Sequence, residues 1–273
     1  MSTELPVIGA AMKIAELERN HNWVMESQRD LELQDFVDAE VLDGDWRPLA
    51  KRTRELLDGY TGRMGIHGPF RSLPMAARDP AIRAVVSRRI GQGLDICEAI
   101  GATHMVIHSP FTTWDHNNLT KDPHGLDRLT EYCHLTLRDA VRRAEAIGCT
   151  LVIENIEDKD PTARVHLAQS FESSAVAVSI DTGHAHYAHG YTGAPPVDYF
   201  VIAAGKHLAH VHLQDADGYA DRHWAPGQGT IHWHAVFAAL RRTNSNPRLI
   251  LELADASRIQ SAAGWLAEHG LGR

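Results

Sequence analysis

The sequence is poor in cysteine, in long apolar runs and in positive charge, and each shortage narrows the functions open to the chain. Its three cysteines, Cys97, Cys133 and Cys149, form no C-x-x-C pair, so we expect buried free thiols rather than disulfides or a thiolate metal site. No apolar run approaches the roughly 20 residues of a membrane-spanning helix. The features of a signal peptide are missing from the segment MSTELPVIGAAMKIAELERN. We therefore predict a cytoplasmic protein with no membrane partner.

Basic residues are fewer than acidic residues: the chain has 27 Lys and Arg and 35 Asp and Glu, which gives a formal net charge of −8. This balance argues against a general polyanion-binding surface, so no nucleic-acid partner is expected. The sequence also lacks a glycine-rich phosphate turn after its first strand. That absence disfavours a doubly wound nucleotide-binding sheet and favours an unphosphorylated substrate.

Histidine is abundant, with 18 in the chain, and half of these lie between Asp181 and His234. Six strand-like segments each end in a residue type that binds metals. The strand-end residues are His67, His108, Glu154, Asp181 (with His184 just after it), His212 and Glu252. The gaps between them run from 27 to 46 residues, about one strand-helix unit each. Such a repeat brings distant residues to one rim when the strands are parallel and form a barrel.

The whole chain alternates between predicted strands and helices. The predicted strands are 6–13, 31–37, 63–68, 104–108, 150–154, 176–181, 208–213 and 248–253. The predicted helices are 19–29, 46–59, 79–99, 123–147, 161–171, 196–204, 233–242 and a last one that ends near His269. Eight such units predict an α/β protein, a (β/α)8 TIM barrel that forms a single domain over 1–273. The sequence leaves open whether the protein is a homo-oligomer.

Glu154, Asp181, His212 and Glu252 form the predicted metal site. Each follows an apolar run, and burying a carboxylate there without a cation would cost several kcal/mol. Carboxylates with one imidazole suit Mn²⁺, Mg²⁺, Co²⁺ or Zn²⁺. A buried ion-pair network is the structural alternative, but the flanking strand ends offer histidines rather than Lys or Arg as partners.

A second group could hold further metal ions or contact substrate: it comprises His67, His108, His184, Asp221 and His223. The other histidines of the C-terminal half without a matched context are assigned to structure or solvent: His186, His189, His210, His232 and His234. The loops 109–121, 182–195 and 214–232 are predicted to form the catalytic rim. The predicted substrate-binding residues are Lys13, Gln34, Trp114 and Arg222.

These residues and motifs resemble those of the xylose isomerase-like barrels, the superfamily of sugar-phosphate isomerases and epimerases that also contains endonuclease IV. The resemblance covers nearly the whole chain. Its most specific parts are IEN at 153–155, IDTGH at 180–184, HVHLQD at 210–215, the run D-x-H…PGQGTI at 221–231, and LEL at 251–253.

The resemblance implies one divalent ion on Glu154, Asp181, His212 and Glu252, proton transfer by the two glutamates, and substrate contact by His184. We therefore expect isomerisation or epimerisation of a small carbohydrate through an enediolate. A lyase or dehydratase would use the same parts.

An endonuclease IV-like enzyme with a multinuclear zinc site, acting on abasic DNA, is the alternative, because all nine ligand types are present. Against it stand the acidic balance, the short stretch between His212 and Asp221, and the rim loops, which carry only Lys121 and Arg222 as fixed cations. The same loops carry four aspartates: Asp115, Asp215, Asp217 and Asp221.

Overall fold

The computed structural model describes residues 5–273, and its eight parallel strands form one closed barrel. The strands are β1 (Gly9–Met12), β2 (Leu31–Leu33), β3 (Met64–His67), β4 (His104–His108), β5 (Thr150–Glu154), β6 (Val176–Asp181), β7 (Leu208–Leu213) and β8 (Arg248–Leu251). Each strand pairs with the next along the chain, and the pairing of β1 with β8 closes the sheet. This closure confirms the (β/α)8 prediction and excludes a doubly wound open sheet. Positions 1–4 of the predicted domain lie outside the described residues.

Helices connect the strands around the outside. They are α1 (Ile14–Glu26), α2 (Ala39–Asp43), α3 (Arg47–Leu56), α4 (Pro80–Ile100), α5 (Thr113–Asn117), α6 (Gly125–Ile147), α7 (Pro161–Ser170), α8 (Thr182–Thr192), α9 (Val197–Ala204), α10 (Trp233–Leu240) and α11 (Ile259–Glu268). Local signals set the ends of α4: the Asp79 side chain accepts a hydrogen bond from the Ala81 amide, and Gly101 ends the helix with φ 76°. Within the described residues, no helix is both long and apolar enough to cross a membrane.

The apolar core lies between the barrel and this helical layer. Phe200 on α9, Phe237 on α10 and Leu94 on α4 are almost completely buried against the strands. Since parallel strands all point the same way, their carboxyl ends meet at one rim. In register, His108 stands beside Glu154, and Asp181 stands beside His212. Residues far apart in the sequence thus become neighbours at that rim.

The structure differs from the predicted secondary structure in three segments. The segment 182–195 is mostly helix α8 rather than loop, because the Asp181 side chain accepts a hydrogen bond from the His184 amide and starts a helix directly at the strand end. The strand predicted over 31–37 ends at Leu33, where the chain turns toward α2. The predicted loop 109–121 also contains the short helix α5.

Candidate metal centre and active site

The nine predicted ligand residues converge at the carboxyl ends of the strands in three clusters. The central cluster is Glu154, Asp181, His212 and Glu252; the first flanking cluster is His67, His108 and Glu154; the second flanking cluster is His184, Asp221 and His223. Within each cluster the potential ligand atoms lie within 4.8 Å of one another. Glu154 belongs to two clusters, so the central and first flanking clusters share a carboxylate.

The central cluster is built around His212. Its Nδ1 lies 2.6 Å from Glu154 Oε1, 3.4 Å from Glu252 Oε2 and 4.0 Å from Asp181 Oδ2. Three carboxylates from β5, β6 and the end of β8 therefore face one imidazole nitrogen. Gln34 donates a hydrogen bond of 2.5 Å to Glu252 Oε1 and so fixes the orientation of that carboxylate.

The first flanking cluster surrounds a carboxylate oxygen without a hydrogen-bond partner. Glu154 Oε2 is buried and unpartnered among the described residues. It lies 3.5 Å from His108 Nε2 and 3.8 Å from His67 Nε2. An oxygen and two imidazole nitrogens at these separations leave room for an atom between them.

The second flanking cluster joins His184 on α8 to Asp221 and His223 on the loop after β7. Asp221 Oδ2 lies 3.3 Å from His184 Nε2, and His223 Nε2 lies 3.2 Å from both oxygens of Asp221. His223 adopts the left-handed backbone conformation, with φ 48°. A non-glycine residue in that region is strained, and such strain concentrates at functional sites.

Backbone carbonyls orient three of the cluster histidines. The Nδ1 atoms of His67, His184 and His223 face the carbonyl oxygens of Gly68, Asn155 and Glu252 at 2.9, 2.9 and 3.2 Å. A proton on Nδ1 then donates to the carbonyl, and Nε2 is the nitrogen directed into the cluster. This is the arrangement in which metal-binding histidines are usually held.

Gln214 was not predicted as a site residue, but its side chain lies between the central and the second flanking clusters. Its amide donates to Asp181 Oδ1 at 3.1 Å and to Asp221 Oδ1 at 2.8 Å, while its oxygen accepts the His223 amide at 2.8 Å. A side chain at Gly183 would collide with it, because a Cβ there would lie 2.2 Å from Gln214 Cδ. The glycine of the IDTGH motif therefore makes room for Gln214.

The asparagine of the IEN motif joins the ends of β5 and β6. The Asn155 side chain donates to the Asp181 carbonyl at 3.0 Å and accepts from the Asp181 amide at 2.9 Å. These two bonds fix the backbone of Asp181 relative to Glu154, so a motif residue beside the candidate ligands helps to set their positions.

Glu32 is a second residue that the sequence interpretation missed. It lies on β2 in the barrel interior, and its Oε1 is 3.0 Å from His212 Nε2. His210, assigned to structure or solvent, is buried beside it, with Nε2 3.1 Å from Glu32 Oε2. The available signal was its position two residues before Gln34 in the predicted strand 31–37, since alternate residues of a strand face the same side.

Asp215 was predicted to be one of the acidic charges of the rim loops, and this prediction was wrong. It is completely buried. Its carboxylate accepts hydrogen bonds from four donors across the loop: the amides of Ala216, Gly227 and Ile231 and the indole of Trp233. Asp215 therefore stabilises the loop that carries Asp221 and His223.

Protonated histidines balance the buried carboxylates. Although burial lowers the pKa of His212 and of His184, the surrounding carboxylates outweigh it and raise both pKa values well above the ordinary value. Burial also lowers the pKa of His223, but Asp221 and Glu252 raise it to about 9. Burial dominates at His108 and lowers its pKa to about 3. In the part of the chain that the structure describes, no Lys or Arg pairs with the cluster carboxylates.

The clusters open into a cavity of about 470 Å³. Its wall contains Lys13, Gln34, Asp35, Val37, Asp38, Val41, Leu49, His67, Phe70, Arg71, His108, Glu154, His184, Asp221, His223 and Glu252. Two predicted substrate-binding residues, Lys13 and Gln34, are thus in the wall. Trp114 and Arg222 are not: Trp114 is 76% exposed, and Arg222 pairs with Asp217 at 2.8 Å.

The sequence matches the family described as xylose isomerase-like TIM barrel over residues 25–269. An uncharacterized protein of Methanocaldococcus jannaschii is 23% identical over 199 residues, which are 70% of this chain and 64% of that protein. The chain therefore spans less than two thirds of the length of this curated relative.

Solved structures share the fold over nearly their full lengths. The TTHB071 protein from Thermus thermophilus, soaked with ZnCl₂, is 25% identical with a TM-score of 0.68, covering 94% of this chain and 98% of that one. A D-tagatose 3-epimerase-like protein is 18% identical with a TM-score of 0.76, covering 96% of each chain. A D-psicose 3-epimerase, solved in the presence of D-fructose, is 14% identical with a TM-score of 0.69, covering 97% of this chain and 100% of that one.

Proposed function

The chain belongs to the xylose isomerase-like TIM barrel family, and from that premise we propose that it is a divalent-metal-dependent isomerase or epimerase of a small carbohydrate. One observation carries the proposal: Glu154 and Glu252 approach the same imidazole from different strands, at the base of an open cavity. Sugar epimerases are among the solved structures with this fold. An unphosphorylated ketose is the favoured substrate.

The donor set of the central cluster fits a divalent cation. Three buried carboxylates meet protonated imidazoles and no fixed cation within the described residues, and Glu154 Oε2 is left without a partner there. Glu154, Asp181, His212 and Glu252 would hold the ion, and its binding would require His212 to give up one proton. Oxygen and nitrogen ligands suit Mn²⁺, Mg²⁺, Co²⁺ or Zn²⁺. Such ions supply Lewis acidity, which stabilises an enediolate in isomerases and, in hydrolases, activates water and neutralises phosphate charge.

The two glutamates are the proposed proton carriers. Burial raises the pKa of Glu252, which brings it closer to neutral pH than an exposed carboxyl and suits acid-base work. Gln34 holds Glu252 through one oxygen and leaves the other facing the cluster. Glu154 and Glu252 can then exchange protons with different sides of a bound ketose, and a lyase or dehydratase would use the same pair.

The rest of the cavity wall fits a small polar substrate. Lys13, Asp35 and the ion pair of Arg71 with Asp38 offer donors and acceptors for hydroxyl groups. Phe70 stacks on His108 at 4.2 Å and gives the wall an apolar face. A volume of about 470 Å³ accommodates a monosaccharide.

Multinuclear phosphodiester hydrolysis is the second candidate, and the three clusters that share or adjoin Glu154 favour it. Several ions on such clusters suit the charge of a phosphate. The relative from Thermus thermophilus was solved after soaking with zinc chloride. The candidate lacks a basic surface at the described rim, where Arg71 and Arg222 are already paired with Asp38 and Asp217.

Metal analysis and substrate screening test the leading proposal. Protein purified without chelators should hold at least about one divalent ion per chain, and Asp181→Ala with His212→Ala should abolish it. The metal-loaded protein should convert a ketose or inosose and exchange the substrate carbon-bound hydrogen with solvent deuterium. Metal that survives the double substitution would refute the ligand assignment, and product formed without exchange would refute the enediolate.

Incision of an abasic-site duplex separates the two candidates. With zinc supplied at physiological salt, we expect no efficient cleavage, because the chain has a formal net charge of −8 and Arg71 and Arg222 at the described rim are already paired with aspartates. Efficient metal-dependent incision would overturn the carbohydrate assignment and support the hydrolase.

A further inference from the structure

We propose that Glu32 is a positioning residue that directs the Nδ1 lone pair of His212 into the central cluster, an inference that rests on the proposed metal-dependent function. Glu32 lies in the middle of β2, in register with Ala11 and Gly65 on the neighbouring strands. Its side chain enters the barrel interior beneath the cluster and is 2% exposed.

The contacts of Glu32 form a chain that leads to the central cluster. Oε1 is 3.0 Å from His212 Nε2, and Oε2 is 3.1 Å from His210 Nε2. His210 Nδ1 is in turn 2.9 Å from Ser179 Oγ. Among the described residues His210 Nε2 makes no hydrogen bond, so its contact with Glu32 Oε2 is electrostatic, and the hydrogen bond of Glu32 is the one with His212 Nε2.

The tautomer of a metal-bound His212 follows from this contact. In the structure each ring nitrogen faces a carboxylate, Nδ1 that of Glu154 and Nε2 that of Glu32. An ion in the central cluster would replace the proton on Nδ1, which faces Glu154, Glu252 and Asp181, and the remaining N–H would be on Nε2, where Glu32 accepts it. A carboxylate that accepts from the far nitrogen of a ligand histidine fixes the ring orientation and raises the basicity of the ligand atom.

His212 differs from the other oriented histidines in the ring nitrogen that makes the orienting hydrogen bond and in the group that accepts it. His67, His184 and His223 use Nδ1 to bond a neutral backbone carbonyl, whereas His212 uses Nε2 and meets a full negative charge. A charged acceptor makes the imidazole a stronger electron donor than a carbonyl does. The residue at the centre of the cluster therefore has the most basic ligand atom of the four.

Packing alone does not account for a carboxylate at this depth. An aliphatic side chain would fill the same space without the desolvation cost of a buried charge. Among the described residues, the ion-pair partners of Glu32 are only His210 and His212. Both partners lie on β7, the strand that carries the proposed ligand His212. The negative charge of Glu32 therefore acts on the proposed metal site.

Metal titration of Glu32→Gln tests the inference. Gln keeps the volume but removes the charge, and its amide N–H₂ competes with the imidazole N–H groups. We expect Co²⁺ bound to apo-protein to dissociate about 10- to 100-fold more readily than from wild type, with a shifted visible absorption spectrum. Asp30→Asn is the matched control, since Asp30 is a buried carboxylate next to β2 that pairs with Arg63 away from the cluster. It should lower stability and leave Co²⁺ affinity unchanged.

The outcomes separate the two levels of the argument. Wild-type protein that binds no Co²⁺ would overturn the proposed function and this inference with it. A folded Glu32→Gln variant with wild-type affinity and spectrum would overturn only the role of Glu32. Glu32→Asp keeps the charge but shortens its reach, so we expect an intermediate affinity. If Glu32→Gln does not fold, an unchanged affinity of Glu32→Asp decides against the inference.

Discussion

Replacing Asp215 by alanine should loosen the loop that carries Asp221 and His223 and should lower the stability of the fold. The carboxylate accepts from four donors at 2.8 to 3.2 Å, and it is completely buried. The substitution leaves these N–H groups without their acceptor. At about 1 kcal/mol for each, the low end of the cost of an unsatisfied buried group, the loss is about 4 kcal/mol. Water entering the cavity would reduce the loss.

Urea unfolding of the variant, followed by fluorescence and circular dichroism, measures this loss. A loss of about 4 kcal/mol is a large share of the roughly 5–15 kcal/mol typical of a domain, so the midpoint should fall strongly. Carbohydrate turnover should fall as well, because the same loop holds Asp221 and His223. The free energy is interpretable only if the two probes report coincident transitions.

Asp217→Asn is the matched control for Asp215→Ala. Asp217 lies in the same loop and pairs with Arg222, but both side chains are about one-third exposed. Such pairs contribute between about 0 and 1 kcal/mol. If Asp215→Ala stayed within about 1 kcal/mol of wild type, the loop would not depend on the buried carboxylate and the reasoning would be refuted.

Three further outcomes are expected. Glu252→Gln should retain most of the metal and lower kcat by about 10²-fold or more, the scale for losing an acid-base group; wild-type kcat would exclude Glu252 from proton transfer. His67→Ala and His223→Ala should each lower the metal content measured by elemental analysis if the flanking clusters bind ions, and an unchanged content would limit binding to the central cluster. Burial, with neighbouring Arg248, lowers the pKa of His104 to about 2. Below about pH 6.5 His104 therefore binds a proton in the unfolded chain but not in the folded chain, so the free energy of unfolding decreases as the pH falls. Between about pH 7 and 5 His104→Gln should lose about 2 kcal/mol less than wild type in unfolding experiments, and parallel pH profiles would contradict this assignment.

The order of residues along the chain was enough to predict the repeat and its consequence. Apolar runs that end in His108, Glu154 and Asp181 predicted strand ends correctly, since β4, β5 and β6 finish at those residues. Helix signals were equally local: Asp79 and Gly101 mark α4 because an N-cap and a left-handed C-cap depend only on neighbouring backbone groups. The rim location of the ligand residues followed from the parallel repeat.

Which polar residues support the site from behind became visible only in the folded barrel. Most contacts of these residues are with partners distant in the sequence: they are Glu32, Gln214 and Asp215. Glu32, for example, contacts His212, and Asp215 contacts Gly227. A local sequence pattern does not predict these partners. Two side chains become partners only when the closed barrel directs both inward at the same level along its axis. The same reason explains Trp114 and Arg222, whose loop positions suggested a pocket but whose side chains lie outside its wall. The sequence therefore indicated the candidate ligands, and the closure of the barrel determined which residues hold them in place.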